Sequence, residues 1–307
     1  MMLSRVAENT YWMARYLERA EDTARLVNVT ANLFLDLPRK FQIGWEPLLD
    51  IMNQRERFYK HYDTATETNV IRFLVTDLEN SSSIFSSITI ARENTRVIRD
   101  ILPRDTWEAV NRLYLNAKEN ISDATKRIKR YDYLRNIIFD IQCISGILAG
   151  TMTHDEAYQF VRIGRNLERA DMTSRILDVQ SASLLTDLPE DMTPFQNIQW
   201  VSVLKSMSAY QMYRKSLHVS VKRPEVIRFL MQEELFPRSV QHCIVTLQSC
   251  VSTLPRNKKI LNLLNDNYQK VKTAAVAKMD QEELHLFIDA LQRSFITLHN
   301  QINKIYF

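Results

Sequence analysis

Apolar residues recur every three to four positions along almost the whole chain, the spacing of helices that each bury one face. In the opening segment Met13, Leu17, Ala20, Ala24 and Val27 form one narrow stripe. The alanines at 20 and 24 leave room for a second helix to approach closely. Pro38 and the stretch from Lys40 to Gly44 end this helix. Further helices are expected from about Trp45, from Asn69 to Leu78, and from the serines at 81–83, which supply an N-cap, to Asp100. Pro103 breaks the last of these, and Asp105-Thr106-Trp107-Glu108 has the form of a capping box that opens the next. A long apolar helix covers Tyr131 to Ala149, with Gly150 as its stop, and Thr153 with Glu156 reads as a second capping box. Thr186 to Pro194 is the clearest linker after the midpoint. Helices then follow at about 196–213, 224–235, 238–253, 257–276 and 280–304, punctuated by Pro224, Pro237 and Pro255. No segment reads as a strand, so the predicted fold class is all-α, a compact multi-helix body.

The pattern also repeats. Arg15 to Val29 reads RYLERAEDTARLVNV, and Arg165 to Val179 reads RNLERADMTSRILDV, with eight of fifteen positions identical. Downstream, Trp45 pairs with Trp200, Val70 to Leu74 matches Val226 to Leu230, and Ser83-Ile84 falls on Ser239-Val240. Duplicated helical units stack so that each covers the apolar face the other leaves open. Two diverged repeats, 1–150 and 151–307, are therefore expected to pack as one body about a pseudo-two-fold axis.

Composition narrows the chemistry. The chain has four glycines, Gly44, Gly146, Gly150 and Gly164. Clustered glycines are required for phosphate-cradling loops, so nucleotide chemistry of that kind is not expected. A net charge of +4 gives no reason to invoke nucleic acid. Cys143, Cys243 and Cys250 are far apart and lie among apolar residues, the pattern of small core side chains in a reducing compartment. No run reaches the roughly 18 apolar residues of a membrane span. The opening residues meet charge too early for a signal peptide. A cytoplasmic location follows as the expectation, with no membrane partner.

The charged residues of the repeated helix are its most distinctive feature. On a helical wheel Tyr11, Arg15, Glu18 and Arg25 share one flank, with Arg19 on the far side. The second copy places Arg165, Glu168, Arg169 and Arg175 on the corresponding flank, and Met172 stands where the first copy has Asp22. Solvated surface pairs of this kind stabilise by only about 0.3–0.5 kcal/mol each. Here Arg stays Arg and Glu stays Glu in both copies, which suits planar, bidentate contacts that lysine cannot reproduce. The expectation is a partly buried network in which the two helices lie near each other. Glu18 and Glu168 would each accept from an arginine of their own copy or of the other. Such a network can fix how helices dock, or it can line a ligand site; the sequence supports both readings.

Weaker signals complete the set. Ser82 and Ser83 at a helix start, with Arg92 and Arg96 further along that helix, resemble an anion site, as do Arg238 and Ser239 in the second copy. A helix cap and a solvated basic face would look the same. Glu282 and His285 form one Glu-x-x-His, whereas a di-iron bundle needs two plus further glutamates, so no metal is expected. His154-Asp155 reads as a helix cap. No cofactor is indicated. Aromatic, basic helices such as Trp107 to Tyr114 leave room for a homodimer or another partner.

The segment Tyr11-Trp12-Met13-Ala14-Arg15-Tyr16-Leu17-Glu18-Arg19-Ala20-Glu21 resembles the signature of the alpha-E family, predicted α-helical bacterial proteins with an "ER" motif. So do the opening residues from Met2 to Asn9, Ser86-Ser87-Ile88, Ala91 to Asn94, Trp107-Glu108, Phe236 to Val240, and the second motif from Gly164 to Asp171. Ala14 and Asn166 depart from that pattern, which has Gly and Tyr there; neither touches the Glu-Arg pairs. The resemblance covers the whole chain. It implies a setting beside, or fused to, a circularly permuted ATP-grasp protein, often with a transglutaminase-like protease. The implied role is a helical accessory of an amide- or peptide-ligating system whose ATP-grasp chemistry sits in the partner. The alternative is a binding protein or enzyme for a peptide or small molecule, with an Arg/Glu-lined site between the two repeats.

Overall fold

The computed structural model describes residues 3–36, 44–183, 193–217 and 220–307. Among these the chain forms helices and no strand. Helix α1 spans Ser4–Asp36, and the short helices α2 (Glu46–Ile51), α3 (Arg55–Phe58) and α4 (Glu67–Ile71) follow. After α4 come a π-helical turn, Arg72–Thr76, and helices α5 (Ile84–Val97), α6 (Arg104–Glu119) and α7 (Arg127–Thr151). Then come α8 (Glu156–Ser183), α9 (Thr193–Ser206), α10 (Tyr210–Leu217), α11 (Arg223–Gln232), α12 (Val240–Ser252), α13 (Lys258–Thr273) and α14 (Gln281–Tyr306).

The two longest helices, α1 and α8, pack against each other and form the centre of the body. Helices α5 and α7 lie on α1, and α12 and α14 lie on α8. The predicted stripe is the reason: Met13, Leu17, Ala20, Ala24 and Val27 are all buried. Close approach of α1 and α8 also depends on Gly164. A Cβ built there would stand 2.3 Å from the Tyr11 carbonyl oxygen and 3.3 Å from Ala14 Cβ. Any side chain at 164 would force the helices apart.

Local features recur at the spacing of the sequence repeat. Ser83 caps α5 by accepting from Ser86 N at 3.1 Å, and Ser239 caps α12 by accepting from His242 N at 3.1 Å. Asn53 and Ser208 both adopt φ of 52°. Beside them Gln54 N donates to Leu49 O at 2.8 Å, and Ala209 N donates to Leu204 O at 2.7 Å. One matched segment differs, since Val70 to Leu74 runs into the π turn whereas Val226 to Leu230 stays α-helical.

Several local expectations need correction. The helix expected over 196–213 is two, because Ser208 in the left-handed region turns the chain between α9 and α10. Helix α6 starts one residue before Asp105, and no side chain caps it, so the predicted capping box does not form. Helix α7 runs through Gly150 to Thr151. At the start of α8 the cap is Asp155 and not Thr153: its carboxylate accepts from the amides of Ala157 and Tyr158 at 3.0 and 3.3 Å. A capping box not foreseen opens α14, where Asp280 and Glu283 satisfy each other's backbone amides. Cys243 and Cys250 are buried, but Cys143 is exposed on α7, so only two of the three cysteines are core side chains. The stop signals from Pro38 to Ile43 and most of the Thr186–Pro194 linker lie outside the described residues.

Candidate functional site

Burying α1 against α8 carries their charged residues inside, where each carboxylate needs a partner. Glu168 of α8 accepts from Arg15 Nε at 2.6 Å, from Arg19 Nε at 2.6 Å and from Arg19 Nη2 at 3.1 Å. Glu18 of α1 accepts from Arg169 Nε at 2.7 Å and from Nη2 at 2.9 Å. Both carboxylates are buried. The wheel placed Arg19 on the far side of its helix; in the structure it is the bidentate partner of Glu168. Arg15 does not meet Glu18 at all, because α8 draws it across the interface.

Arg238, at the start of α12, completes the second cluster. Its guanidinium lies 3.1 Å from Glu18 Oε1, 2.7 Å from Glu21 Oε1 and 2.5 Å from Asp22 Oδ1. Glu21 also accepts from Arg25 and from Gln142 Nε2, the latter at 3.2 Å. Asp171, the counterpart of Glu21, accepts from Arg175 Nε at 2.9 Å. Arg165, the counterpart of Arg15, forms no ion pair among the described residues. Burial, reinforced by the charge of Arg169, lowers its pKa.

These surroundings set the protonation states. Burial acts to raise Glu18, but Arg169 and Arg238 outweigh it and lower the carboxyl to about 2. Glu168 is likewise lowered to about 2, where Arg15 and Arg19 overcome burial. Carboxylates held this way are weak bases at neutral pH. Asp22 behaves in the opposite sense. Burial, with Glu18 and Glu21 adding negative charge nearby, raises it to about 7 against the pull of Arg238. Its Oδ2 is buried without a donor, the atom on which a proton would sit.

Beside the network lies an aromatic group that sequence reasoning only partly found. Tyr11, placed on the charged flank, holds its hydroxyl 2.8 Å from His299 Nδ1 and accepts from Arg15 Nη1 at 3.1 Å. Arg15 also lies over the Trp12 ring, 5.2 Å from its centroid. His299 sits on α14 without a repeat counterpart or motif, so nothing local in the sequence pointed to it.

The anion-site candidates separate. Ser83 and Ser239 spend their hydroxyls as caps. Arg92 and Arg96 lie toward the far end of α5, where both pair with Glu93. Arg92 also covers the rings of Trp107 and Tyr114, at 5.6 and 4.7 Å, so these aromatics are partly shielded. Arg238 faces carboxylates of its own chain. His285 bonds Asp178 Oδ1 at 2.8 Å. No group of three or more His, Cys, Asp or Glu side chains that could hold a metal ion is found among the described residues, and no described helix is long and apolar enough to cross a membrane.

A family model described as a predicted alpha-helical domain with a conserved ER motif matches residues 2–307. The chain belongs to the Alpha-E family. This Alpha-E chain is 22% identical over 270 residues to uncharacterised proteins of Mycobacterium bovis and Mycobacterium tuberculosis, a match covering 82% of its own length. It spans only about a third of those relatives, since the match covers 30% of each. No solved structure matches it.

Proposed function

We propose that this protein is a helical partner of an ATP-grasp-type amide or peptide ligase and contributes no ATP-grasp chemistry itself. The observation that carries the reading is the size of its mycobacterial relatives. There the Alpha-E-like part accounts for 30% of a longer polypeptide, the arrangement expected of a unit that works attached to something else. The chemistry of the network agrees with such a role. Glu18 and Glu168 are committed to arginines and held near 2, so they hold helices in register and do not suit proton transfer at neutral pH. The test is the rate of amide-bond formation by an ATP-grasp ligase from the same bacterium, measured with and without this protein. Stimulation, with co-elution of the two, is the expected result. No binding and no change in rate would remove the proposal.

A second reading, a ligand site between the two repeats, has its own observation. A cleft of about 180 Å³ is lined by Arg19 and Ser82 from the first half and by Glu168, Asp171 and Arg175 from the second.

A further inference from the structure

The two halves differ at one pair of positions that the repeat aligns. At the spacing that aligns Ser83 with Ser239, Arg238 falls on Ser82, and at the spacing that aligns Glu18 with Glu168, Asp22 falls on Met172. In the structure Arg238 reaches from the start of α12 to Glu18, Glu21 and Asp22 on α1. The corresponding position, Ser82 just before α5, lines one cleft together with Glu168, Asp171 and Met172 of α8. There both members of the Arg238–Asp22 pair have been replaced, by a serine and a methionine. What remains is the 180 Å³ cleft, with Ser82 and Met172 in its wall.

The wall has unused hydrogen-bonding capacity of both signs. Arg19 spends Nε and Nη2 on Glu168, and no described residue accepts from its Nη1. Arg175 spends Nε on Asp171, which leaves both its terminal nitrogens without a described partner. On the acceptor side, Asp171 gives only Oδ2 to Arg175, and Gln54 Oε1 is buried with no donor. The charges that line the cleft are balanced, Arg19 and Arg175 against Glu168 and Asp171. A simple anion would leave Gln54 and Asp171 unmatched. A simple cation would face two arginines with no acceptor of its own to offer them. The volume lies below the roughly 300–1,000 Å³ of pockets for drug-sized ligands, so the ligand is small.

We propose that this cleft binds a small zwitterion of the α-amino-acid type, its carboxylate on Arg19 and Arg175 and its ammonium on Asp171 and Gln54. The proposal rests on the ligand-site reading above and names the ligand's class. The two terminal nitrogens of Arg175 can take the ligand carboxylate bidentately, which supplies the orientation, and Arg19 adds one contact through Nη1. The buried Gln54 oxygen gains the donor it lacks, which removes the cost of an unsatisfied acceptor.

The experiment is a thermal-shift screen of the whole protein with the twenty common L-amino acids, one at a time at millimolar concentration. Calorimetry then compares the tightest binder with the same compound lacking its ammonium and with the same compound lacking its carboxylate. Saturable binding is expected for the amino acid, at least tenfold tighter than for either truncated compound. Arg175→Gln is expected to weaken it tenfold or more. The double variant Ser82→Arg with Met172→Asp rebuilds the arrangement already present in the other half. It should fold, as read by circular dichroism, and lose binding. If a truncated compound binds as tightly as the amino acid, the ligand class is wrong while the site stands. If no amino acid binds, the proposed ligand class is overturned. If binding survives in the double variant, the cleft is not the site and the ligand-site reading falls with it.

Discussion

Arg19 and Glu168 face each other across the α1–α8 interface in the same bidentate geometry as Arg169 and Glu18: Nε to Oε1 at 2.6 and 2.7 Å, Nη2 to Oε2 at 3.1 and 2.9 Å. The two Glu-Arg dipeptides thus exchange partners, each glutamate held by the arginine of the other. Removing a buried carboxylate leaves its arginines unpaired, which costs on the order of 3–5 kcal/mol where burial is complete. Glu168 serves Arg15 and Arg19 alone, whereas Arg238 keeps Glu21 and Asp22 when Glu18 is lost. Glu168→Gln is therefore expected to destabilise more than Glu18→Gln. Urea denaturation of the two variants checks the order, and equal or negligible losses would contradict it.

The depressed carboxyls also fix the response to acid. An unfolded glutamate titrates near ~4.3, and Glu18 and Glu168 titrate at about 2 in the folded state. Between those values the unfolded chain binds more protons, so stability rises with pH. Their contribution is complete above ~4.3 and is lost as pH falls toward 2. Equilibrium denaturation from pH 6 to pH 2 should show this loss, reduced in Glu168→Gln.

Asp22 carries the opposite sign. Its folded value of about 7 lies above the ~3.9 of an unfolded aspartate. The folded state binds more protons between those values, so this group's contribution declines as pH rises from ~3.9 to about 7. Asparagine keeps an acceptor for Arg238 and never ionises. The melting temperature of Asp22→Asn relative to the parent should therefore climb between pH 5 and pH 8. A flat difference across that range would show Asp22 to be an ordinary ionised partner of Arg238.

Gly164 tests the helix crossing. The obstacle to a Cβ there is a backbone oxygen, Tyr11 O at 2.3 Å, which cannot swing aside as a side chain can. Gly164→Ala should cost about 1–3 kcal/mol by overpacking, despite alanine's better helix propensity. A neutral or stabilising result in thermal denaturation would show that α1 and α8 can separate freely.

The cysteines give a chemical check on burial. Cys143 is exposed on α7. Burial pushes the Cys243 thiol up to about 12 and the Cys250 thiol up to about 11, which disfavours the reactive thiolate. Maleimide treatment of the folded protein, followed by mass spectrometry, should find one label, at Cys143.

The helical class, the core stripe of α1 and the presence of two Glu-Arg helices follow from the sequence alone. These depend on contacts three and four residues apart, which the linear pattern records directly. The retention of Arg15, Glu18, Arg19 and Arg25 in the second copy also marked the charged flank as more than a solvated face. The identity of each partner was decided by the tertiary structure. Whether Arg15 meets Glu18 or Glu168 depends on how closely α8 crosses α1, and that depends on Gly164 having no side chain. Arg238 could be noticed as a basic residue near a helix start, but its encounter with Glu18, Glu21 and Asp22 required α12 to dock on α8. In the sequence Asp22 showed only as an acid that the second copy lacks; its burial, together with two other carboxylates around one guanidinium, is what moves its proton affinity. The cleft at Ser82 was invisible for the same reason: a missing arginine leaves a space only where three distant segments would otherwise have closed around it.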